Sequence, residues 1–424
     1  MDRRVLFASL ILLAGGATGV GVALFAFVGI DEGAVDAEIV WETDPVEGDD
    51  GSGAVVATMD GDPVVVQSTT ADGERVVRAT AVGGDVAWRT PLSAIAAGDA
   101  AGGDGDTGSG DAGGADDPPG TSRLVAGTLD GESVVAFTTA PGSLVVLDAA
   151  DGSTRFTVDL DGPGGIRPAI GDLDADGGSE VAAATADGRV VAVADGGDTV
   201  FETSLGEPVD RRPLIVGSGG DESGDAAADA RGIAVATVGG EETTVRLLDA
   251  NGDARWTATP SVTPLSWNAA DTRRGPVIAL GGTNGNLEAI EVADGSSRYE
   301  VGLQDLPVTV GEADRGRIHV GGVRSVWAVD LLDGEVVWKQ QYGGDTRVNA
   351  PGVGTVSADA GTGPVAVNRE GDVLALNPSG EAIARGDVGA AVVYAGPLFA
   401  DVTGDGTDEV LVVTEDGRIV ALDD

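Results

Sequence analysis

The amino-acid sequence predicts an all-β fold: an eight-bladed β-propeller of four-stranded blades, preceded by one N-terminal apolar segment. Three observations carry this. A unit of apolar strand, Gly-containing turn and an aromatic four residues after a Gly recurs through residues 36–424. The composition, 42% hydrophobic but only 4% aromatic with 69 Gly, suits short strands and tight turns better than large helices. The two ends of the chain carry complementary fragments of one unit.

The chain opens with Arg3 and Arg4, followed by 26 uncharged residues from Val5 to Ile30. A bilayer needs about 20 apolar residues. Arginines before the run and acids after it predict the N-terminus inside and the remainder outside. The run is longer than the 7–15 residues or so of a cleaved signal peptide. Residues 1–33 are therefore expected to be an uncleaved, single-pass signal anchor, with cleavage as the alternative. "RRVLF" fits a twin-arginine export signal and a pair of positive-inside arginines equally well.

The repeat then runs through the soluble part, residues 34–424. Its aromatic falls at Trp41, Trp88, Phe156, Phe201, Trp256, Tyr299 and Trp338, with Ala384 in a degraded copy. Asp-Gly or Asn-Gly between apolar runs marks a tight hairpin, because such turns need positive φ. Where no insertion intervenes the spacing is 39–47 residues, the length of a four-stranded blade. Two longer intervals hold the acidic, low-complexity stretches 96–120 and 217–232, which lack apolar content and read as solvated, disordered loops. The C-terminal "EDGRIVALDD" stops where an aromatic strand should follow, and "DAEIVWETD" at 36–44 supplies that strand. The first strand of the soluble chain should thus complete the last blade and remove the free edges.

The repeat resembles the pyrroloquinoline-quinone-like (PQQ-like) propeller family on residues such as Asp148, Gly152 and Phe156, or Asp330, Gly334 and Trp338. The resemblance spans most of residues 36–424 and implies fold more than activity. Some relatives are quinoprotein dehydrogenases that use PQQ and Ca²⁺. They usually carry segments beyond the repeats, often with an adjacent Cys pair, whereas this chain has no Cys. PQQ and catalytic residues are therefore not expected.

Two stretches, "GDLDADGGSEVAAATADGRVVAVA" and "ADVTGDGTDEVLVVTEDGRIVALDD", align without a gap, each between the first and second strands of a blade. Asp172, Asp174 and Asp176 alternate, Gly allows tight wrapping, and such oxygens suit Ca²⁺. The short loop between strands is similar to the calcium loops of integrin-type FG-GAP repeats. That resemblance implies Asp172, Asp174, Asp176, Glu180 and the Gly178 carbonyl as ligands. In the second loop it implies Asp401, Asp405, Glu409 and the Thr407 carbonyl. Thr403 stands where the family has Asp or Asn, so the second site should be weaker, with Asp408 as the alternative donor. The competing explanation is an acidic turn of a very acidic chain. Either way the role is structural.

The formal net charge is −45, which disfavours nucleic acid. Of 25 basic residues only Lys339 is lysine, a balance that looks like a halophile, archaeal in type. Molar salt shortens the Debye length to about 3 Å and removes most of the self-repulsion. His319, the one histidine, alternates with apolar residues and reads as structural. Trp267 and Trp327, off the repeat position, read as core residues that could reach the channel. "DRRP" (210–213) and "TRRG" (272–275) could grip an anion or form surface ion pairs. The sequence thus leads to a calcium-stabilised, non-enzymatic binding or scaffold module, held on the cell membrane with its propeller outside. Its partner would be a protein or glycan of the cell envelope. The alternatives are a PQQ/Ca²⁺-dependent dehydrogenase and an envelope assembly or adhesion factor.

Overall fold

The computed structural model describes residues 34–46, 53–99, 120–217, 231–239, 242–342 and 346–423. Eight antiparallel sheets follow one another around a ring. The first blade is Ala54–Met59, Asp62–Ala71, Glu74–Ala81 and Val86–Pro91, and the second Val125–Leu129, Glu132–Thr138, Ser143–Asp148 and Thr154–Asp159. The third holds Ala169–Gly171, Glu180–Ala184, Arg189–Val193 and Thr199–Ser204, and the fourth begins at Leu214–Val216 and ends at Ala254–Ala258. The fifth runs from Pro264–Ala270 to Ser297–Gly302, and the sixth from Thr309–Asp314 to Val336–Gln341. The seventh is Gly352–Gly354, Gly363–Val367, Asp372–Leu376 and Ala382–Asp387. The eighth takes Leu398–Ala400, Glu409–Val413 and Ile419–Asp423 from the C-terminus and Glu38–Glu42 from the N-terminus.

The ring closes as the chain ends predict. Glu38–Glu42 pairs antiparallel with Ile419–Asp423, placing Ile39 opposite Leu422 and Trp41 opposite Ala421. One departure from four-stranded blades accompanies it. Val35–Asp36 adds a fifth, parallel strand to the seventh blade, with Val35 opposite Ala384.

The recurring aromatic has a steric explanation. Each packs on the positive-φ Gly in the last hairpin turn of the next blade. A Cβ on Gly152 would lie 2.3 Å from the Trp88 ring, one on Gly252 2.5 Å from Phe201, and one on Gly380 2.5 Å from Trp338. The indole N–H then donates across the blade junction: Trp88 to the Ala149 carbonyl at 2.9 Å, Trp256 to Val292 at 2.7 Å, Trp338 to Pro378 at 3.2 Å. Ring and glycine are one clasp, so the motif needs both. Ala384 is the exception with a reason. The eighth blade has no such turn, because its last strand arrives from the N-terminus, and Ala384 instead pairs with Val35 and packs near Ala37 and Leu422.

Two sequence expectations shift at their edges. The stretch 96–120 is not loop from its first residue: the helix Leu92–Asp99 runs into it, anchored by buried Leu92 and Ile95 one turn apart. The stretch 217–232 gives up Gly232 to the strand Gly232–Gly239. The rest of both, 100–119 and 218–230, lies outside the described residues, as does the apolar run 5–30. Among the described residues no helix is long and apolar enough to cross a membrane.

Candidate functional site

Both acidic loops connect the innermost strand of a blade to the second. Asp172 follows Ala169–Gly171 and Glu180 opens the next strand; Asp401 follows Leu398–Ala400 and Glu409 opens its next strand. The backbones follow one path. Ala175 and Gly177 take φ of 69° and 92°, and their counterparts Gly404 and Gly406 take 80° and 92°. Left-handed residues at these two points coil the loop and turn alternate side chains inward.

In the first loop the carboxylates of Asp172, Asp174 and Asp176 approach so that an oxygen from each lies within 4.8 Å of the others. One oxygen of each also accepts a loop N–H: Asp172 from Ala175 at 2.7 Å, Asp174 from Asp176 at 3.1 Å, Asp176 from Gly178 at 2.7 Å. These bonds hold the side chains and leave Asp174 and Asp176 a second oxygen, while the second oxygen of Asp172 faces Arg231. Glu180 is buried, accepts the Leu173 N–H at 2.8 Å, and is not part of the three-carboxylate group. Burial first, and then Asp174, Asp176 and Asp172, push its carboxyl above the usual range, while the Leu173 N–H pulls it the other way. Arg231 Nη1 of the next blade lies 2.8 Å from Asp172.

The second loop gathers Asp401, Asp405 and Glu409. Asp401 accepts N–H groups of Gly404 and Gly406 at 2.6 and 3.0 Å. Fully buried Glu409 accepts the Val402 N–H at 2.5 Å and the Thr403 hydroxyl at 2.7 Å. Thr403 therefore spends its hydroxyl proton on a neighbouring ligand candidate. Asp408 is no substitute donor: it accepts the Thr355 N–H and returns its own N–H to the Thr355 carbonyl, both at 2.8 Å, tying the loop to the seventh blade. Gly178 and Thr407 each donate their N–H to the preceding Asp, at 2.7 and 2.8 Å, which leaves their carbonyls outside those bonds. In both loops the donor set is hard oxygen from carboxylates crowded together, which fits Ca²⁺ rather than a soft transition metal.

The remaining candidates separate cleanly. Trp327 is core, with Lys339 Nζ 5.0 Å from its ring centre. Trp267 is also buried, but donates to the Arg212 carbonyl at 3.1 Å and borders the channel. In "DRRP" Arg211 makes the expected ion pair, 3.0 Å to Asp210, while Arg212 turns into the channel. His319 is 2% exposed, stacks on Trp338 at 5.8 Å, and has no hydrogen-bond partner on either ring nitrogen. Burial, aided by Arg317, lowers its pKa to about 4. Protons therefore favour the unfolded chain below its ordinary value of about 6.5. The stability carried by neutral His319 is complete above that value and is lost as pH falls toward 4. The difference is about 3 kcal/mol. We expect His319→Leu to flatten urea-derived stability between pH 6.5 and 4 relative to the native chain; parallel pH curves would contradict this.

The feature that motif reading caught only at Arg212, as an anion-gripping alternative in "DRRP", is at the channel mouth, where the chain enters each innermost strand. Arg123, Arg167, Arg212 and Arg347 line one cavity of about 470 Å³. Its signal was visible only in part, as an Arg placed two residues before an inner strand in "SRLV", "IRPA" and "RRPL".

Residues 241–424 match the PQQ-repeat family model described as "Outer membrane protein assembly factor BamB". No curated protein matches the chain by sequence. Among solved structures, BamB from Moraxella catarrhalis superposes with a TM-score of 0.56 at 16% identity, over 92% of this chain and 98% of that one. Sqt1 of Saccharomyces cerevisiae gives 0.61 at 12% identity, over 92% and 99%. BBS1N in complex with ARL6DN gives 0.51 at 14% identity, over 70% and 90%. At these identities the likenesses establish the fold, and together with the match over residues 241–424 they support a propeller of PQQ-like repeats.

Proposed function

We propose that the protein is a membrane-anchored, outward-facing propeller acting as a non-enzymatic binding or scaffold module, with Ca²⁺ as a structural clip in its two acidic loops. The observation that carries this reading is the closed ring: eight blades sealed by the N-terminal strand, which offer two broad loop faces on a rigid frame. The ring begins at Val35, close behind the apolar run 5–30, so such an anchor would hold the propeller near the bilayer. Partner binding is in keeping with neighbours of the same fold, since BBS1N was solved in complex with ARL6DN. The match of residues 241–424 to an assembly-factor family favours envelope assembly as the more specific role. A protein or glycan of the cell envelope is the partner class. The adjacent Cys pair common in quinoprotein dehydrogenases has no counterpart among these 424 residues, which contain no Cys, so an enzyme is not proposed. Halophilic composition suits an exterior of high salt, where a charge of −45 is screened.

Metal would act by relieving repulsion among carboxylates that the fold already holds together. Affinity capture of the full-length chain from its own membranes, in molar salt, should yield a discrete partner set with calcium that thins in chelator. In parallel, Asp174→Ala should lower the melting temperature by several degrees with calcium present and leave it unchanged in chelator. Equal loss under both conditions would reject the metal clip, and an empty capture in several detergents would reject the scaffold.

A further inference from the structure

The channel mouth concentrates positive charge in a chain of net charge −45. Arg123, Arg167 and Arg212 each stand two residues before the inner strand of the second, third and fourth blades, so three adjacent blades deliver one guanidinium each. Arg347 enters from the connection to the seventh blade, which faces the third across the ring. Elsewhere ten of the described arginines are matched to acids, among them Arg155 to Asp195 at 2.6 Å, Arg189 to Glu202 at 2.6 Å and Arg246 to Glu207 at 3.0 Å. None of the four channel arginines has a carboxylate within 4.0 Å among the described residues. One acid, Glu312, lines the same cavity, and its carboxylate accepts the Val353 N–H at 2.8 Å.

The environment makes this arrangement costly when no anion is present. The Nε atoms of Arg167 and Arg347 are buried without a partner. Burial lowers the pKa of all four, and each of three feels a like-charged neighbour: Arg347 acts on Arg123, Arg123 on Arg167, and Arg167 on Arg212, which falls to about 10 although the Glu312 carboxylate partly offsets the fall. All stay protonated near neutrality. Two of them are oriented by neighbours: Arg212 Nη2 donates to Asn268 at 3.2 Å, and Arg347 sits 5.6 Å over the Tyr394 ring. Guanidinium forks match oxyanions in bidentate geometry, and those bonds strengthen where water is excluded.

We propose that the channel mouth is a binding site for a multiply charged oxyanion, a small molecule bearing phosphate or carboxylate groups, held by Arg123, Arg167, Arg212 and Arg347. A cavity of about 470 Å³ exceeds a single inorganic phosphate, so the ligand carries a second anionic group or an organic part. The site lies at the entrance to the inner strands, whereas the acidic loops lie at their exits, on the opposite face. Anion binding is therefore independent of calcium and goes beyond the scaffold reading.

The test uses the full-length chain in detergent at molar potassium chloride and constant ionic strength, stripped of divalent cations on a chelating resin so that no soluble polycarboxylate competes with the probes. Pyrophosphate and citrate serve as probes by calorimetry and thermal melting. At least one should bind and raise the melting temperature above the chloride-matched control, and which one does so tells phosphate from carboxylate chemistry. Arg167→Gln and Arg212→Gln should each weaken that binding roughly tenfold or more, the loss of one charge-assisted contact. Their melting temperatures without ligand should hold or rise, since a buried like charge has gone. Arg123→Gln, at the more exposed position, serves as a second variant should either fail to fold, and Arg274→Gln, in an inner-strand exit loop, should bind as the native chain does. No binding of either probe, or undiminished binding in the channel variants, overturns the proposal.

Discussion

Replacing residues 35–42 with a Gly/Ser linker of equal length should lower the melting temperature by roughly 10 °C or more and drive the protein to self-associate. The replaced segment supplies the last strand of the eighth blade, through Glu38 to Asp423, Ile39 to Leu422, Trp41 to Ala421 and Glu42 to Val420. It also supplies the parallel pair of Val35 and Asp36 with Ala384 and Arg385. At about 1 kcal/mol net for each backbone hydrogen bond, plus the area that Trp41 covers, the loss approaches about 5 kcal/mol or more. That is a large fraction of the roughly 5–15 kcal/mol that holds a domain together. The strand Ile419–Asp423 would be left as an unpaired edge beside buried Val420 and Leu422, a template for another chain. Thermal melts and light scattering of the two proteins decide it. An unchanged melting point and a monomeric variant would mean that the ring does not depend on its closing strand.

The second large effect isolates the blade clasp. Gly152 and Gly206 both take φ of 71°. A Cβ on Gly152 would lie 2.3 Å from Trp88 and 2.7 Å from the Thr90 hydroxyl, whereas on Gly206 it meets nothing within 4 Å. Gly206→Ala thus costs only left-handed strain, about 1–2 kcal/mol. Gly152→Ala adds overpacking of about 1–3 kcal/mol. It also displaces the indole that donates to the Ala149 carbonyl and the threonine that donates to Gly152 at 2.5 Å. Chemical denaturation should therefore find Gly152→Ala the less stable by roughly 2 kcal/mol or more. Equal losses would mean that the glycines recur in the repeat for their turns alone and that the aromatic is not clasped.

Much of the fold was legible because its determinants are local and repeated. Each Gly-to-aromatic spacing encodes one turn and one clasp, so counting the units counted the blades, and the orphan fragments at 36–44 and 415–424 identified the closing strand. The fifth strand at Val35–Asp36 was not legible: two residues carry no periodicity, and its room comes from the small side chain of Ala384, about 350 residues away in sequence, on the neighbouring strand of the seventh blade. The helix Leu92–Asp99 escaped for a related reason, since Leu92 and Ile95 are two apolar residues at the border of a low-complexity stretch.

The candidate sites divide along the same line. Each acidic loop is contiguous, so sequence spacing alone placed its carboxylates on one coil, and the structure added which of them meet. Glu180 stands apart from its trio while Glu409 joins its own, and Asp408 is taken by Thr355 of the preceding blade. The channel arginines come from residues 123 to 347, and nothing local joins them. The sequence by itself determined the number of blades, the closure of the ring and the two acidic loops, because strand period, turn chemistry and alternating donors act over a few residues. Only the tertiary structure decided that four distant arginines share one cavity, because that proximity follows from curling eight sheets around an axis and bringing the starts of their inner strands together.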